Sequence, residues 1–273
     1  MRSGDGDLDD ALHALADPGP SPTPQMHQPA RPVLLVHGTN DTPATMNTLA
    51  AALRRAGREV VSLDYGRHRQ SLRGQFGGGG LGPLRESTRD LLQRLDDRLA
   101  AMDAAADGGK LPEGSAFRDE SAPIVGQVDL VGHSQGGLPA LACARARPGR
   151  VAHVVLLGAP LHGVRPIGAA SRWAHAPGMR RTLDTLLGPS ARQQVVGSEA
   201  LVGGADPAPG ARHLFVASAD DWVLRNVDRQ LLADRPGWRT VWTHDAIPGR
   251  RIRHASLPSD PDVIALVLDE LSR

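Results

Sequence analysis

Val128-Asp129-Leu130-Val131-Gly132-His133-Ser134-Gln135-Gly136-Gly137 reads as a buried strand that runs into a G-x-S-x-G turn and then a helix. This is the sequence form of a nucleophile elbow, in which a serine is held on a strained strand-to-helix turn. The strain lifts the hydroxyl clear of the sheet, and the glycines on either side keep Cβ atoms from colliding. A pentapeptide of common residues means little by itself, so its surroundings must support it. They do so on both sides. Leu130 and Val131 close an apolar run, and residues 138–147 read as a helix that stops at Pro148-Gly149. Pro139 falls near the first turn of that helix, where a missing N–H costs little.

The rest of the chain repeats the same alternation. Short apolar runs at 33–36, 60–63, 128–131, 151–157, 214–217 and 240–243 are expected as strands. Helical spacing is expected at 45–56, ended by Gly57, at 84–102 with Leu84, Leu91, Leu92, Leu95 and Leu99, and at 262–271. Strands alternating with helices predict an α/β fold with a mostly parallel sheet covered on both faces. Residues 1–31 read as a flexible leader with a weak helix at 8–15, because 17–32 holds six prolines and almost nothing apolar. Residues 32–273 form the folded domain. Within it, 74–82 is rich in glycine and reads as a mobile loop. Residues 162–210, rich in Gly, Pro, Arg and Ala, read as an insertion above the sheet, of cap or lid type, with short helical pieces at 179–187 and 191–196.

Composition removes several function classes. The 31 basic and 30 acidic residues leave a net charge of +1, and the arginines are scattered, so nothing favours nucleic acid or an anionic membrane surface. No apolar run is long enough to span a bilayer, so no integral membrane segment is expected. The single cysteine, Cys143, excludes an intrachain disulfide and reads as a small core residue rather than a nucleophile. No H-E-x-x-H is present and one thiol cannot build a zinc site, so neither metal nor cofactor is expected. The glycines at 77–80 lack the G-K-[ST] ending of a phosphate loop. With no apolar signal core in its first ten residues, the chain as it stands is expected in the cytoplasm, and outside the cell if an export signal preceded it.

A serine hydroxyl needs a base to take its proton and an acid to orient that base. After an elbow of this kind, the chain order should be serine, acid, histidine, each at the carboxyl end of a strand. Asp220 and Asp221 both follow the strand at 214–217, and position alone leaves both open. His254 lies between the last strand and the last helix, ahead of its nearest rival, His244. His133, inside the elbow, is expected to point away from the site. An oxyanion needs two preorganised donors. The Gln135 N–H, just past the serine, is one. The turn His37-Gly38-Thr39 after the first strand supplies the other, with the Thr39 N–H as the expected donor.

Taken together, these pieces resemble the α/β-hydrolase superfamily, and within it the bacterial class 2 lipases and esterases of actinomycete type. The resemblance rests on Val36-His37-Gly38-Thr39, Ser62-Leu63-Asp64-Tyr65-Gly66, Gly80-Leu81-Gly82-Pro83-Leu84, residues 128–137, Leu157-Gly158-Ala159-Pro160-Leu161-His162-Gly163 and His254. They run in family order over most of the chain. The resemblance implies an α/β-hydrolase fold and a serine carboxylic-ester hydrolase acting on a small-molecule or lipid ester through an acyl-enzyme. It also selects Asp221 over Asp220, because the family acid precedes one residue and then two apolar ones, as in Asp221-Trp222-Val223-Leu224. Two departures stand out. The disulfide cysteines common in that group are missing, and with 3 Phe, 1 Tyr and 4 Trp an aromatic-rich lipid groove is not evident. The same three residues would also serve an acyltransferase or thioesterase, and a non-catalytic ligand-binding scaffold is the reading from another class. Oligomeric state is left open.

Overall fold

In a computed structural model, the structure describes residues 30–106, 126–164, 181, 184–186, 188–195, 205–224 and 235–273. The folded unit runs from Arg31 to Arg273. The expected leader helix at 8–15 lies outside the described residues, as does most of the helical piece expected at 179–187.

Among the described residues, six strands form one sheet: β1 Val33–Val36, β2 Val60–Leu63, β3 Val128–His133, β4 Val151–Leu157, β5 Arg212–Ala217 and β6 Trp238–Trp242. Their order is β2-β1-β3-β4-β5-β6, and each of the five pairings is parallel. Parallel strands need crossovers, and helices supply most of them. Among the described residues the helices include α1 Asn47–Arg55, α2 Leu72–Gln75, α3 Leu84–Ala106, α4 Gly137–Ala146, α5 Pro189–Gln193, α6 Thr243–Ala246 and α7 Pro261–Leu271. The expected helix at 45–56 begins instead as a 3-10 turn at Pro43–Met46, with a proline in its first turn, and becomes α-helical at Asn47. Strand β3 runs two residues further than expected, through Gly132 and His133, because both still pair with β4.

Successive side chains on a strand face opposite sides, and β1 shows the result. Leu34 and Val36 join Leu63, Leu91, Leu95, Leu130 and Leu141 in one apolar layer, which holds residues of α3 and α4. Val33 and Leu35 join Met46, Leu49, Leu53, Val131, Val263 and Val267 in the other, which holds residues of α1 and α7. Strand β1 is therefore apolar on both faces, which is why its run is continuous rather than alternating. Cys143 belongs to the first layer, and burial pushes its thiol pKa up to about 12. α7 opens at Asp260, whose Oδ1 accepts from the N–H groups of Asp262 and Val263 at 3.0 and 3.3 Å.

Strand order reverses between β1 and β3. In open parallel sheets, the crevice at such a switch point, outside the carboxyl ends of the strands, is where ligands bind. Here that crevice lies between the turn after β1, starting at His37, and the turn after β3, starting at Ser134.

The chain also carries a pH dependence in its packing. Buried His213 on β5 accepts from the Ala208 N–H at 2.9 Å through Nε2 and donates to the Gly237 carbonyl at 3.2 Å through Nδ1. Both ring nitrogens are committed to the neutral form, and burial lowers its pKa to about 4. Between pH 6.5 and 4 the unfolded chain takes up a proton that the folded chain does not, so stability falls as pH falls. We expect the urea midpoint to drop between pH 7 and pH 4.5, with His213 contributing about 2 kcal/mol of that loss. The His213→Gln variant should show a flatter dependence of midpoint on pH, and an unchanged slope would refute the assignment.

Candidate active site

Ser134 follows directly on β3 with φ of 52°, in the left-handed region. For a residue with a Cβ that conformation costs about 1–2 kcal/mol. The chain then continues through a 3-10 turn, Ser134–Gly136, into α4. Its flanking glycines are required by space. A Cβ at position 132 would lie 2.5 Å from Gly137 Cα, and one at position 136 would lie 2.3 Å from the His37 carbonyl oxygen. The elbow can therefore close only where side chains are missing on both sides of the serine.

His254 arrives from a 3-10 turn, His254–Ser256, between α6 and α7. Its Nε2 lies 2.9 Å from Ser134 Oγ, and its Nδ1 lies 2.5 Å from Asp221 Oδ2. Asp221 sits just beyond the end of β5 and is 4% exposed. Its other oxygen, Oδ1, accepts from the N–H groups of Val223 and Leu224 at 2.9 and 2.8 Å. The carboxylate is thus fixed by its own turn before it meets the imidazole. The spacing of Asp221 before an apolar pair has a physical use, since those two residues supply the N–H groups that orient it.

Three further groups hold this pair. The Ser218 hydroxyl donates to the Ile252 carbonyl, joining the Asp221 loop to the His254 loop. Gly158, after β4, has φ of 59°, and a Cβ there would lie 3.2 Å from His254 Nδ1 and 3.3 Å from Asp221 Oδ2. His133 corrects an expectation. Its ring does not point away: Nε2–H donates to the His254 carbonyl at 3.0 Å, and the two rings lie 5.0 Å apart. Burial, reinforced by the neighbouring His254, lowers the His133 pKa to about 4, so it serves as a neutral donor near pH 7.

The turn after β1 comes equally close. A Cβ on Gly38 would lie 3.1 Å from Ser134 Cβ, so this backbone passes directly beside the serine. Thr39 follows, half-buried, and its hydroxyl donates to Gln135 Oε1. The turn is pinned from below by Tyr65, whose buried hydroxyl donates to the His37 carbonyl at 2.9 Å. Burial also pushes up the pKa of Asp41, whose surroundings include His37 and His254. The loop at 74–82, expected to be mobile, is tied to this turn. Asn40 N–H donates to Gly79 O, Gly79 N–H to Asp41 O, and Gly80 N–H to Tyr65 O, at 2.8, 2.8 and 2.9 Å. Its glycines permit close approach: a Cβ at position 79 would meet His37 Cε1 at 2.7 Å.

The sequence matches the alpha/beta hydrolase family over residues 33–269. The chain belongs to this family. Among solved structures, this alpha/beta hydrolase is similar to lipase B of Aspergillus fumigatus, with 17% identity and a TM-score of 0.60 over 89% of this chain and 52% of that one. It therefore spans about half the length of that lipase. It is also similar to a structure from work on two metagenome-derived lipolytic enzymes, with 17% identity and a TM-score of 0.54 over 89% and 94% of the two chains. A hydrolase from Pseudomonas aeruginosa gives 19% identity and a TM-score of 0.54 over 89% and 91%. At these identities the likeness is one of fold. No curated protein is significantly similar to the chain in sequence.

In this alpha/beta hydrolase the structure brings Ser134, His254, Asp221, Thr39 and Gln135 together. It leaves two rivals aside. The Asp220 N–H donates to Ser218 Oγ at 3.1 Å, while Asp221 alone reaches His254. His244 lies on α6, half-exposed, 3.4 Å from Asp245 and in ring contact with Trp242. Sequence reasoning assigned no role to Gln194, which has none of the signals of a motif. Its Nε2 reaches both Thr39 Oγ1 and Gln135 Oε1, at 3.1 and 2.8 Å. None of the described helices is long and apolar enough to cross a membrane.

Proposed function

We propose that this chain is a serine carboxylic-ester hydrolase. The observation that carries the reading is the continuous line from Ser134 Oγ to His254 Nε2, and from His254 Nδ1 to Asp221, built on a strained elbow. Ser134 Oγ attacks the ester carbonyl while its proton passes to His254 Nε2. Asp221 keeps the imidazole in the tautomer that can accept this proton and stabilises the cation that forms. The N–H groups of Thr39 and Gln135 take the developing oxyanion. His254 then gives its proton to the departing alcohol, leaving an acyl group on Ser134. Water, deprotonated by His254, releases the acid and restores the serine.

The described relatives share this fold, and two of them carry lipolytic names. The choice of ester rests on this chain's own residues. The test is hydrolysis of p-nitrophenyl esters from acetate to palmitate, together with covalent labelling of the intact chain by a fluorophosphonate. We expect hydrolysis and stoichiometric labelling at Ser134. The chain-length optimum then separates an esterase from a lipase. A folded protein that neither turns over any ester nor takes the label would sink the proposal.

A further inference from the structure

We infer that Gln194, in the segment inserted between β4 and β5, is a positioning residue for the oxyanion site; this rests on the ester-hydrolase reading above. The two residues whose N–H groups that reading assigns to the oxyanion come from different strand ends, Thr39 after β1 and Gln135 after β3. Nothing in the sheet ties their side chains together. Three hydrogen bonds do. The Thr39 hydroxyl donates to Gln135 Oε1, and Gln194 Nε2 donates toward both Thr39 Oγ1 at 3.1 Å and Gln135 Oε1 at 2.8 Å. Gln194 therefore closes a triangle of side chains between the turn after β1 and the turn after β3. It is 7% exposed, and Gln135 is fully buried, so water competes little for these bonds.

Gln194 is itself anchored. Its carbonyl accepts from the Val164 N–H at 2.7 Å. Its Nε2 also reaches the Ser190 carbonyl at 3.2 Å, one turn back along α5. The Ser190 hydroxyl donates to Gly80 O at 2.8 Å, and Gln193 Oε1 accepts from the Leu84 N–H at 2.7 Å, at the start of α3. A Cβ at Gly188 would lie 2.4 Å from Leu81 O, so this segment sits hard against the loop that also braces Thr39. This frame thus joins three regions: the turn after β1, the elbow after β3, and the insertion. Oxyanion donors work only if they are already in place when charge develops. Removing Gln194 leaves Thr39 and Gln135 joined by one bond and free to shift together.

The test uses Gln194→Met, which keeps the length of the side chain and removes its donor. We expect kcat on a p-nitrophenyl ester to fall roughly tenfold, less than the loss of a direct oxyanion donor, with KM changed less than about twofold. Fluorophosphonate labelling should slow by a similar factor, because the phosphonyl oxygen uses the same donors. Thr39→Val should lower the rate too, and the Thr39→Val/Gln194→Met pair should lose much less than the product of the single losses, because both act through one network. A Gln194→Met variant with wild-type kcat, or single losses that multiply, overturns the inference. If circular dichroism shows that Gln194→Met does not fold, Gln194→Glu is read in its place. It keeps the shape and sets a carboxylate against Gln135 Oε1, so kcat should fall at least as far, and a wild-type kcat again overturns the inference. A wild-type chain that is inert to both ester and phosphonate would instead remove the ester-hydrolase reading, a distinguishable failure.

Discussion

Replacing Ser134 by alanine should lower ester hydrolysis by roughly 10⁴-fold or more, down to what binding and the oxyanion donors achieve alone. Alanine removes only Oγ, and with it the group that His254 Nε2 meets at 2.9 Å. Fluorophosphonate labelling should vanish with it. Substrate affinity should change little, because Oγ contributes to the reaction more than to ground-state binding. Stability gives a second reading of the same position. Alanine has a Cβ and inherits the strain of φ near 52°. Glycine has none, and the left-handed conformation costs it nothing. Ser134→Gly should therefore unfold at a higher urea concentration than Ser134→Ala, by about 0.5–1 kcal/mol once the greater freedom of glycine in the unfolded chain is set against the relief. Equal stabilities would show that the turn stores no strain. Retention of hydrolysis in both variants would show that another group attacks the ester.

The sequence carries this part of the site because an elbow is local. Strand, glycine, serine and helix fall within ten residues, and sterics force glycine at the two flanking positions. The positions of Asp221 and His254 are readable for a related reason. Each sits just past a recognisable strand, and Asp221 is oriented by N–H groups only two and three residues ahead of it. Groups that act across the fold are different. Gln194 meets Thr39 from 155 residues away, and neither the spacing of apolar residues nor a turn signal marks it. His133 departs from the expected orientation because strand alternation says which face a side chain takes but not what the neighbouring loop presents there. The glycine-rich stretch at 74–82 suggests freedom by composition, yet Gly79 and Gly80 serve to let backbone approach backbone beside His37 and Tyr65. Strands β3, β5 and β6 each reach two residues past their apolar runs, where parallel pairing with a neighbour continues, and β6 stops one residue early, where Thr243 opens α6.

Asp221→Asn should be nearly as damaging as loss of the serine while leaving the fold intact, with kcat down by about 10³–10⁴-fold. The argument is one of proton geometry. Asp221 Oδ1 accepts two N–H bonds from its own turn, which an asparagine carbonyl oxygen can still accept. The amide NH₂ must then take the place of Oδ2, against His254 Nδ1. Two donors cannot face each other at that distance, so the ring turns to the tautomer with its proton on Nε2. That nitrogen can no longer accept the proton of Ser134, and the base is lost although every heavy-atom position stays filled. Asp220→Asn is the control. Asp220 meets this loop through its backbone N–H to Ser218 Oγ, which the substitution preserves, so its kcat should stay within about twofold of wild type. Comparable losses in both variants would mean that the negative charge of the loop matters rather than the orientation of the imidazole. A loss confined to Asp220→Asn would move the acid by one residue and contradict the contact that the fold builds.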